Sequence, residues 1–210
     1  LPTASVVVVE ANFSRPAVQR ELGWLLANLS ALDLKLMVSV WSKFENAAFL
    51  EPLREGGELL KRTIWMDAYD PQAKEDFFAF ANASMFSIGV DALWLDATEP
   101  EGFPHVDKTV YPFGQVAAKT NTTAVPMSAN ALLNGYSLEV TGSIADGLAA
   151  HYSDRRAFSL TRSASAGQQR HAAALWSGDI SGSWDMLRRQ VGAALSLQLS
   201  GSPYWAQDIG

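Results

Sequence analysis

The 210-residue sequence contains no cysteine, which excludes a disulfide framework and any thiolate metal site and leaves the redox compartment unread. Histidine is almost as scarce. His105, His151 and His171 are dispersed, whereas a zinc site needs ligands at short spacings such as H-x-x-x-H, so metal dependence is not expected. Basic residues number 16 against 22 acidic ones for a net charge of −6, and the nearest thing to a cluster is Arg155-Arg156, which reads as a solvated helix end. Phosphate backbones are held by clustered Lys and Arg, so no nucleic-acid partner is expected. Long hydrophobic runs are missing too. The longest, Ser5 to Glu10 and Leu34 to Trp41, fall well short of the roughly 20 residues of a membrane span, so no membrane partner is expected and the protein reads as soluble.

What is present is ordinary for a globular core: 48% apolar residues and 18% charged in a length suited to one domain. Leu1 is not an initiator Met, and the sequence stops at Asp208-Ile209-Gly210 directly after a strand-like run, so both ends read as cuts. Four N-x-S/T triplets, at Asn12, Asn28, Asn82 and Asn121, leave a secreted or periplasmic location open. Asn28 and Asn82 lie in helical patterns and read equally well as unmodified surface amides.

Along the chain, strand-like and helix-like segments alternate. Apolar residues at Val18, Leu22, Leu25, Leu26 and Leu29 predict an amphipathic helix over Arg15 to Leu32, followed by a strand from Leu34 to Trp41. Asp70-Pro71 is a helix start, Asp as N-cap and Pro at the first helical position, and the helix should run through Phe77, Phe78 and Phe80 towards Phe86 and end at Gly89. Val90 to Leu95 reads as the next strand, with a Pro-, Gly- and Asp-rich loop after it to about Thr123. A helix is expected within Leu132 to Ala150, its boundaries blurred by Gly135, Gly142 and Gly147. Ala157 to Thr161 and Ala172 to Trp176 follow as strands, then Trp184 to Leu199 as a helix with Leu187, Val191, Ala194 and Leu195 on one face, stopped by Gly201. This order predicts an α/β fold with parallel strands and outer helices. Periodicity alone leaves a barrel and an open doubly wound sheet both available.

Four of the strand-like runs end on reactive or sugar-binding residue types: Trp41; Trp94 and Asp96; Arg162; and Trp176 with Asp179. In a barrel the C-terminal strand ends converge on one face, so these residues would become neighbours. Glycoside hydrolysis needs two carboxyl groups, about 5 Å apart when configuration is retained, one attacking and one donating a proton. Asp96 and Asp179 are the candidate pair, although Glu99, Glu101 and Asp208 also lie near strand ends and the chemistry alone does not rank them. Each feature has a plainer reading. Asp96 could cap the next helix, Asp179 could be a turn residue, Arg162 could pair with a core carboxylate, and Trp41, Trp94, Trp176 and Trp205 could be core aromatics. Trp24 and Trp184, on helix patterns, read as packing residues, and Arg170 and His171 as structural at least as readily as functional.

The segment Gly89-Val90-Asp91-Ala92-Leu93-Trp94-Leu95-Asp96-Ala97-Thr98-Glu99-Pro100 closely resembles the nucleophile strand of glycoside hydrolase family 31, W-x-D-x-x-E-P. Leu160-Thr161-Arg162-Ser163-Ala164, Gln168-Gln169-Arg170 and Leu175-Trp176-Ser177-Gly178-Asp179-Ile180 are similar to the family's arginine strand and acid/base strand. The run from Leu199 to Gly210 resembles the next strand, whose acid corresponds to Asp208. Weaker likenesses lie at Leu36 to Trp41 and at Trp65 to Pro71, so the resemblance covers most of the chain from about Leu34 onward. The first 30 residues do not match clearly, and the sugar-binding acid of the family's earlier strands is not placed.

The resemblance implies a partial (β/α)8 TIM barrel. Residues 1–210 are then part of one catalytic barrel domain, with the last strand and the flanking β-sandwich domains missing, and such a fragment is expected to be inactive alone. It implies Asp96 as nucleophile and Asp179 as acid/base. Substrate binding would fall to Trp41, Trp94, Arg162, Trp176, Trp205 and Asp208. The double-displacement reaction needs no cofactor. The partner is an oligosaccharide or glycoside, and homo-oligomerisation of the full-length protein stays open. Asp96-Ala97-Thr98-Glu99 is closer to α-xylosidase-type members than the Asp-Met-Asn-Glu of many α-glucosidases. α-Glucosidase is the near rival; a non-catalytic sugar-binding relative and an inactive gene fragment are the others.

Overall fold

The structure is a computed structural model that describes residues 6–9, 16–43, 65–99 and 129–208. Six strands, β1 (Val6–Val9), β2 (Lys35–Trp41), β3 (Ala92–Asp96), β4 (Ser159–Thr161), β5 (Ala173–Trp176) and β6 (Trp205–Ala206), form one sheet in sequence order with every neighbouring pair parallel. An open doubly wound sheet would reverse its strand order at a switch point; a sheet that always steps the same way is the barrel arrangement. Among the described residues the helices are α1 (Pro16–Ala31), α2 (Pro71–Ser84), α3 (Ala129–His151) and α4 (Trp184–Leu199). Between β4 and β5 the described connection contains only a 3₁₀ turn, Gln168–His171. Among the described residues no helix is long and apolar enough to cross a membrane.

Local chemistry accounts for the boundaries. The Asp70 carboxylate accepts the backbone N–H of Gln72 at 3.0 Å and Pro71 opens α2, as the Asp-Pro pair predicts. The helix stops at Ser84 rather than continuing to Phe86. Phe86–Ile88 tightens into a 3₁₀ turn, which the left-handed Gly89 (φ 111°) closes. Strands β3, β4 and β5 begin one or two residues later than expected, because pairing with the neighbouring strand sets where each one starts. The apolar run at Ser5 to Glu10 contains β1, a strand that its length alone did not identify.

Helix α3 runs unbroken through Gly135, Gly142 and Gly147. The glycines are there for close approach: an added Cβ would meet the Tyr69 hydroxyl at position 135, the His171 ring at 142 and the Phe78 ring at 147. Intrinsic helix propensity loses to packing at these positions. Leu36, Val38 and Val40 of β2 and Leu93 and Leu95 of β3 join Phe77, Phe78 and Ala81 of α2, Phe86, and Val140 and Ile144 of α3 in one core between sheet and helices. Each fully buried Phe or Leu contributes about 1.5–3 kcal/mol.

Two expectations about tryptophan are corrected. Trp24 is 71% exposed and Trp184 85%, so neither packs among the described residues. The predicted apolar face of α4 is likewise open, with Leu187, Val191 and Leu195 all exposed. The Pro-, Gly- and Asp-rich loop, His105, Glu101, Asn12 and Asn121 lie outside the described residues. Asn82 spends its side-chain carbonyl on the Tyr152 hydroxyl at 2.6 Å, and Asn28 donates to the Trp24 carbonyl at 2.7 Å.

Candidate active site

Strand alternation sorts the site residues before any contact is considered. Since Leu93 and Leu95 face the helices, Trp94 and Asp96 face the barrel interior. Register then carries this face across the sheet: Trp41 lies beside Asp96, Leu160 beside Trp94, and Ala174 beside Leu160, so Arg162 and Trp176 fall on the same interior face. Trp94 and Trp176 meet edge to face, centroids 5.1 Å apart at 85°. Trp205 is the exception. It is registered with Leu175, whose neighbours Thr161 and Leu95 share the helix-facing side, so strand alternation sets it on the opposite face from Trp94 and Trp176.

Arg162 is the centre of the cluster. Only 11% exposed, its guanidinium reaches Asp96 (Nε to Oδ1, 3.3 Å), Glu99 (Nη2 to Oε1, 2.5 Å) and Asp179 (Nη1 to Oδ2, 3.6 Å). Two acids named from sequence, 83 residues apart (179 − 96), are thus held by one planar fork. Asp96 is 19% exposed and also accepts the N–H of Ala97 at 2.6 Å. Ala97 is left-handed (φ 52°) and fully buried, a conformation that costs about 1–3 kcal/mol for a residue with a Cβ and that clusters at functional sites. Asp179 is 90% exposed, on the rim. An adjoining cleft of ≈ 360 Å³ is lined by Glu99, Arg162, Ser163, Ser177, Gly178 and Asp179.

Gly178 is essential to this geometry. It is left-handed (φ 71°), and a Cβ there would lie 2.9 Å from Cδ and 3.1 Å from Cγ of Arg162. The arginine stem therefore crosses bare backbone.

The remaining predicted residues are placed less centrally. Trp41 lies parallel to Trp65 (6.2 Å, 11°) with Lys43 Nζ 3.7 Å above its ring, so one π face is already engaged. Asp208, two residues beyond β6, is half-buried and makes no hydrogen bond or ion pair with a described residue. The indole N–H groups of Trp94 and Trp205 are buried without an acceptor among the described residues. Sequence reasoning missed the pairing of Glu99 with Arg162, although its W-x-D-x-x-E spacing offered the signal. It also missed Ser163 and Ser177, for which the sequence offered none.

A parallel barrel segment that gathers two or three carboxylates and an arginine at the C-terminal ends of its strands defines the class: a (β/α)8-type domain with an acid-lined site. The comparisons give the family. A sequence profile described as "Glycosyl hydrolases family 31 TIM-barrel domain" matches residues 16–210, and the chain belongs to that family. The match begins well before the point at which the motifs become recognisable by eye.

An α-xylosidase of Saccharolobus solfataricus is 32% identical over 203 residues, covering 96% of this chain and 26% of the relative. An α-glucosidase of the same organism is 28% identical over 176 residues, covering 74% and 25%. A family 31 α-xylosidase from a soil metagenome, solved with xylose, superposes with a TM-score of 0.78 at 26% identity, over 99% of this chain and 32% of that one. The chain spans about a quarter to a third of the length of the curated relatives it matches first.

Proposed function

We propose that this chain carries the nucleophile and the acid/base of a retaining α-glycosidase that releases terminal α-linked xylosyl residues from oligosaccharides. The observation that supports it most is the shared guanidinium: Arg162 within 3.3 Å of Asp96 and 3.6 Å of Asp179. Asp96, held by Arg162 and the Ala97 N–H, is oriented for attack as the nucleophile. Its carboxylate attacks the anomeric carbon as Asp179 gives its proton to the departing glycosidic oxygen, so the C–O bond breaks as the Asp96 ester forms. Asp179, now a base, takes a proton from water, which displaces Asp96 and releases the sugar with its configuration retained. The rim position of Asp179 suits a group that must meet leaving alcohol and incoming water in turn.

Arg162 also remains close enough to the cleft to bind sugar hydroxyls. Trp94 has a buried indole donor with no acceptor among the described residues, and Trp176 meets it edge to face, a polar tip and an apolar wall of the kind that sugar rings require. Trp41 and Asp208 are assigned supporting contacts on the same face. We read residues 1–210 as one part of a single catalytic barrel domain.

Preference for xylose is supported by the Asp96-Ala97-Thr98-Glu99 tetrad and by the α-xylosidase at 32% identity. α-Glucosidase is the second reading, favoured by the relative at 28%; the two sugars differ by one CH2OH, a discrimination of about 1–3 kcal/mol. Hydrolysis of chromogenic α-xyloside and α-glucoside by the full-length parent chain, with Asp96→Ala as control, tests both. Asp96-dependent release names the sugar. Sugar binding without release in the folded protein would favour a non-catalytic relative.

A further inference from the structure

We propose that Gln168 is a positioning residue for the reaction, anchoring one end of a buried hydroxyl chain that ties the nucleophile loop to the arginine strand. The inference rests on the reading of Asp96 and Arg162 given above. Gln168 is fully buried on the 3₁₀ turn, away from the cleft lining. Its Nε2 donates towards Ser137 O (3.1 Å), Ser137 Oγ (2.9 Å) and Thr141 Oγ1 (3.0 Å), and its Oε1 accepts from Ser165 N (3.4 Å). The amide orientation is forced at both ends, because a backbone carbonyl only accepts and a backbone N–H only donates.

The rest follows from hydroxyl arithmetic. The Ser163 carbonyl only accepts, so Ser137 Oγ sends its hydrogen there at 2.6 Å while Gln168 Nε2 donates into one of its lone pairs. Its remaining lone pair faces Thr161 Oγ1 at 3.1 Å, and Thr161 Oγ1 in turn meets Thr98 Oγ1 at 2.8 Å. Thr98 Oγ1 accepts from Ser163 N (3.2 Å) and shares a hydrogen bond with Ser163 Oγ (3.1 Å).

The chain is placed where the reaction needs rigidity. Thr161 and Ser163 flank Arg162, and Thr98 stands between Asp96 and Glu99, which Arg162 binds. One lattice therefore sets the separation of the nucleophile loop and the arginine, and Gln168 supplies the donors that orient it. Without them Ser137 O, Ser137 Oγ and Thr141 Oγ1 share the loss of a buried donor, the anchored end of the chain loosens, and the loop carrying Asp96 and Glu99 gains alternatives.

The test uses the full-length parent chain with an aryl α-glycoside, and compares Gln168→Met, Thr98→Val and Thr98→Ser with wild type and Asp96→Asn. Folding is checked by thermal melting. Gln168→Met and Thr98→Val, which keep shape and remove hydrogen bonds, are expected to lower kcat about tenfold or more with a smaller change in KM. Thr98→Ser restores the hydroxyl and should recover most of the rate, and the Gln168→Met/Thr98→Val double variant should fall little further than the worse single one. A folded Gln168→Met with kcat within about twofold of wild type overturns the inference. If that variant does not fold, equal rates for Thr98→Val and Thr98→Ser overturn it instead. Activity surviving in Asp96→Asn would strike at the underlying nucleophile assignment; its loss there without loss in Gln168→Met strikes at Gln168 alone.

Discussion

Replacing Gly178 by Ala separates the geometry of Arg162 from the mere presence of its charge. The new Cβ would stand 2.9 Å from Cδ and 3.1 Å from Cγ of Arg162. Carbon atoms rest at about 3.5–4.0 Å, so the arginine stem must move by roughly 0.5–1 Å. A misplacement of about 1 Å can cost on the order of 10²-fold in rate, so kcat/KM for an aryl α-glycoside should fall about 10- to 100-fold in the full-length chain. Left-handed backbone adds about 1–2 kcal/mol of strain once a Cβ is present, measurable by urea unfolding. Gly89→Ala is the control. Its φ is 111° and among the described residues its Cβ would meet only Leu26 Cδ1 at 3.8 Å, at the far end of β3, so it should lose stability and keep activity. Equal retention of kcat/KM in both variants would refute the argument that Arg162 must cross bare backbone.

Gly147→Val should destabilise the protein by about 1–3 kcal/mol in urea unfolding, because its side chain would occupy the space of the Phe78 ring between α2 and α3. His171 is pushed below the usual histidine value of 6.5, chiefly by burial and then by Arg170. The unfolded state therefore binds more protons, so unfolding free energy should decline as pH falls through 6.5 and below, and His171→Gln should flatten that slope in a pH series of melts.

Much of the fold was legible because local signals agreed with each other. Asp70-Pro71 marks a capped helix start, and the apolar spacing over Trp184 to Leu199 gives α4 to the residue. What was not legible depends on partners distant in sequence. The glycines of α3 weaken a helix when judged locally, and only the Tyr69, His171 and Phe78 side chains they accommodate explain them. Trp24 and Trp184 fit an amphipathic pattern that no described element covers. Within the site, Asp96, Arg162 and Asp179 could be singled out because each lies at or within three residues of a strand end in a recognisable motif, and the structure brings the three together. The direction of Trp205 could not, since it depends on register with Leu175, nor could the Thr98, Ser137 and Gln168 lattice, whose members are common residue types joined over 24 to 65 positions of sequence.

The assignment of Asp96 as nucleophile is tested most directly by trapping the covalent intermediate. The full-length chain would be incubated with 5-fluoro-α-xylosyl and 5-fluoro-α-glucosyl fluorides, whose reactive leaving group and electron-poor ring let the glycosyl-enzyme accumulate, then digested and sequenced by mass spectrometry. A single sugar adduct on Asp96 is the expected result. An adduct on Glu99 or Asp179, or turnover with inverted configuration and no adduct, would contradict the account.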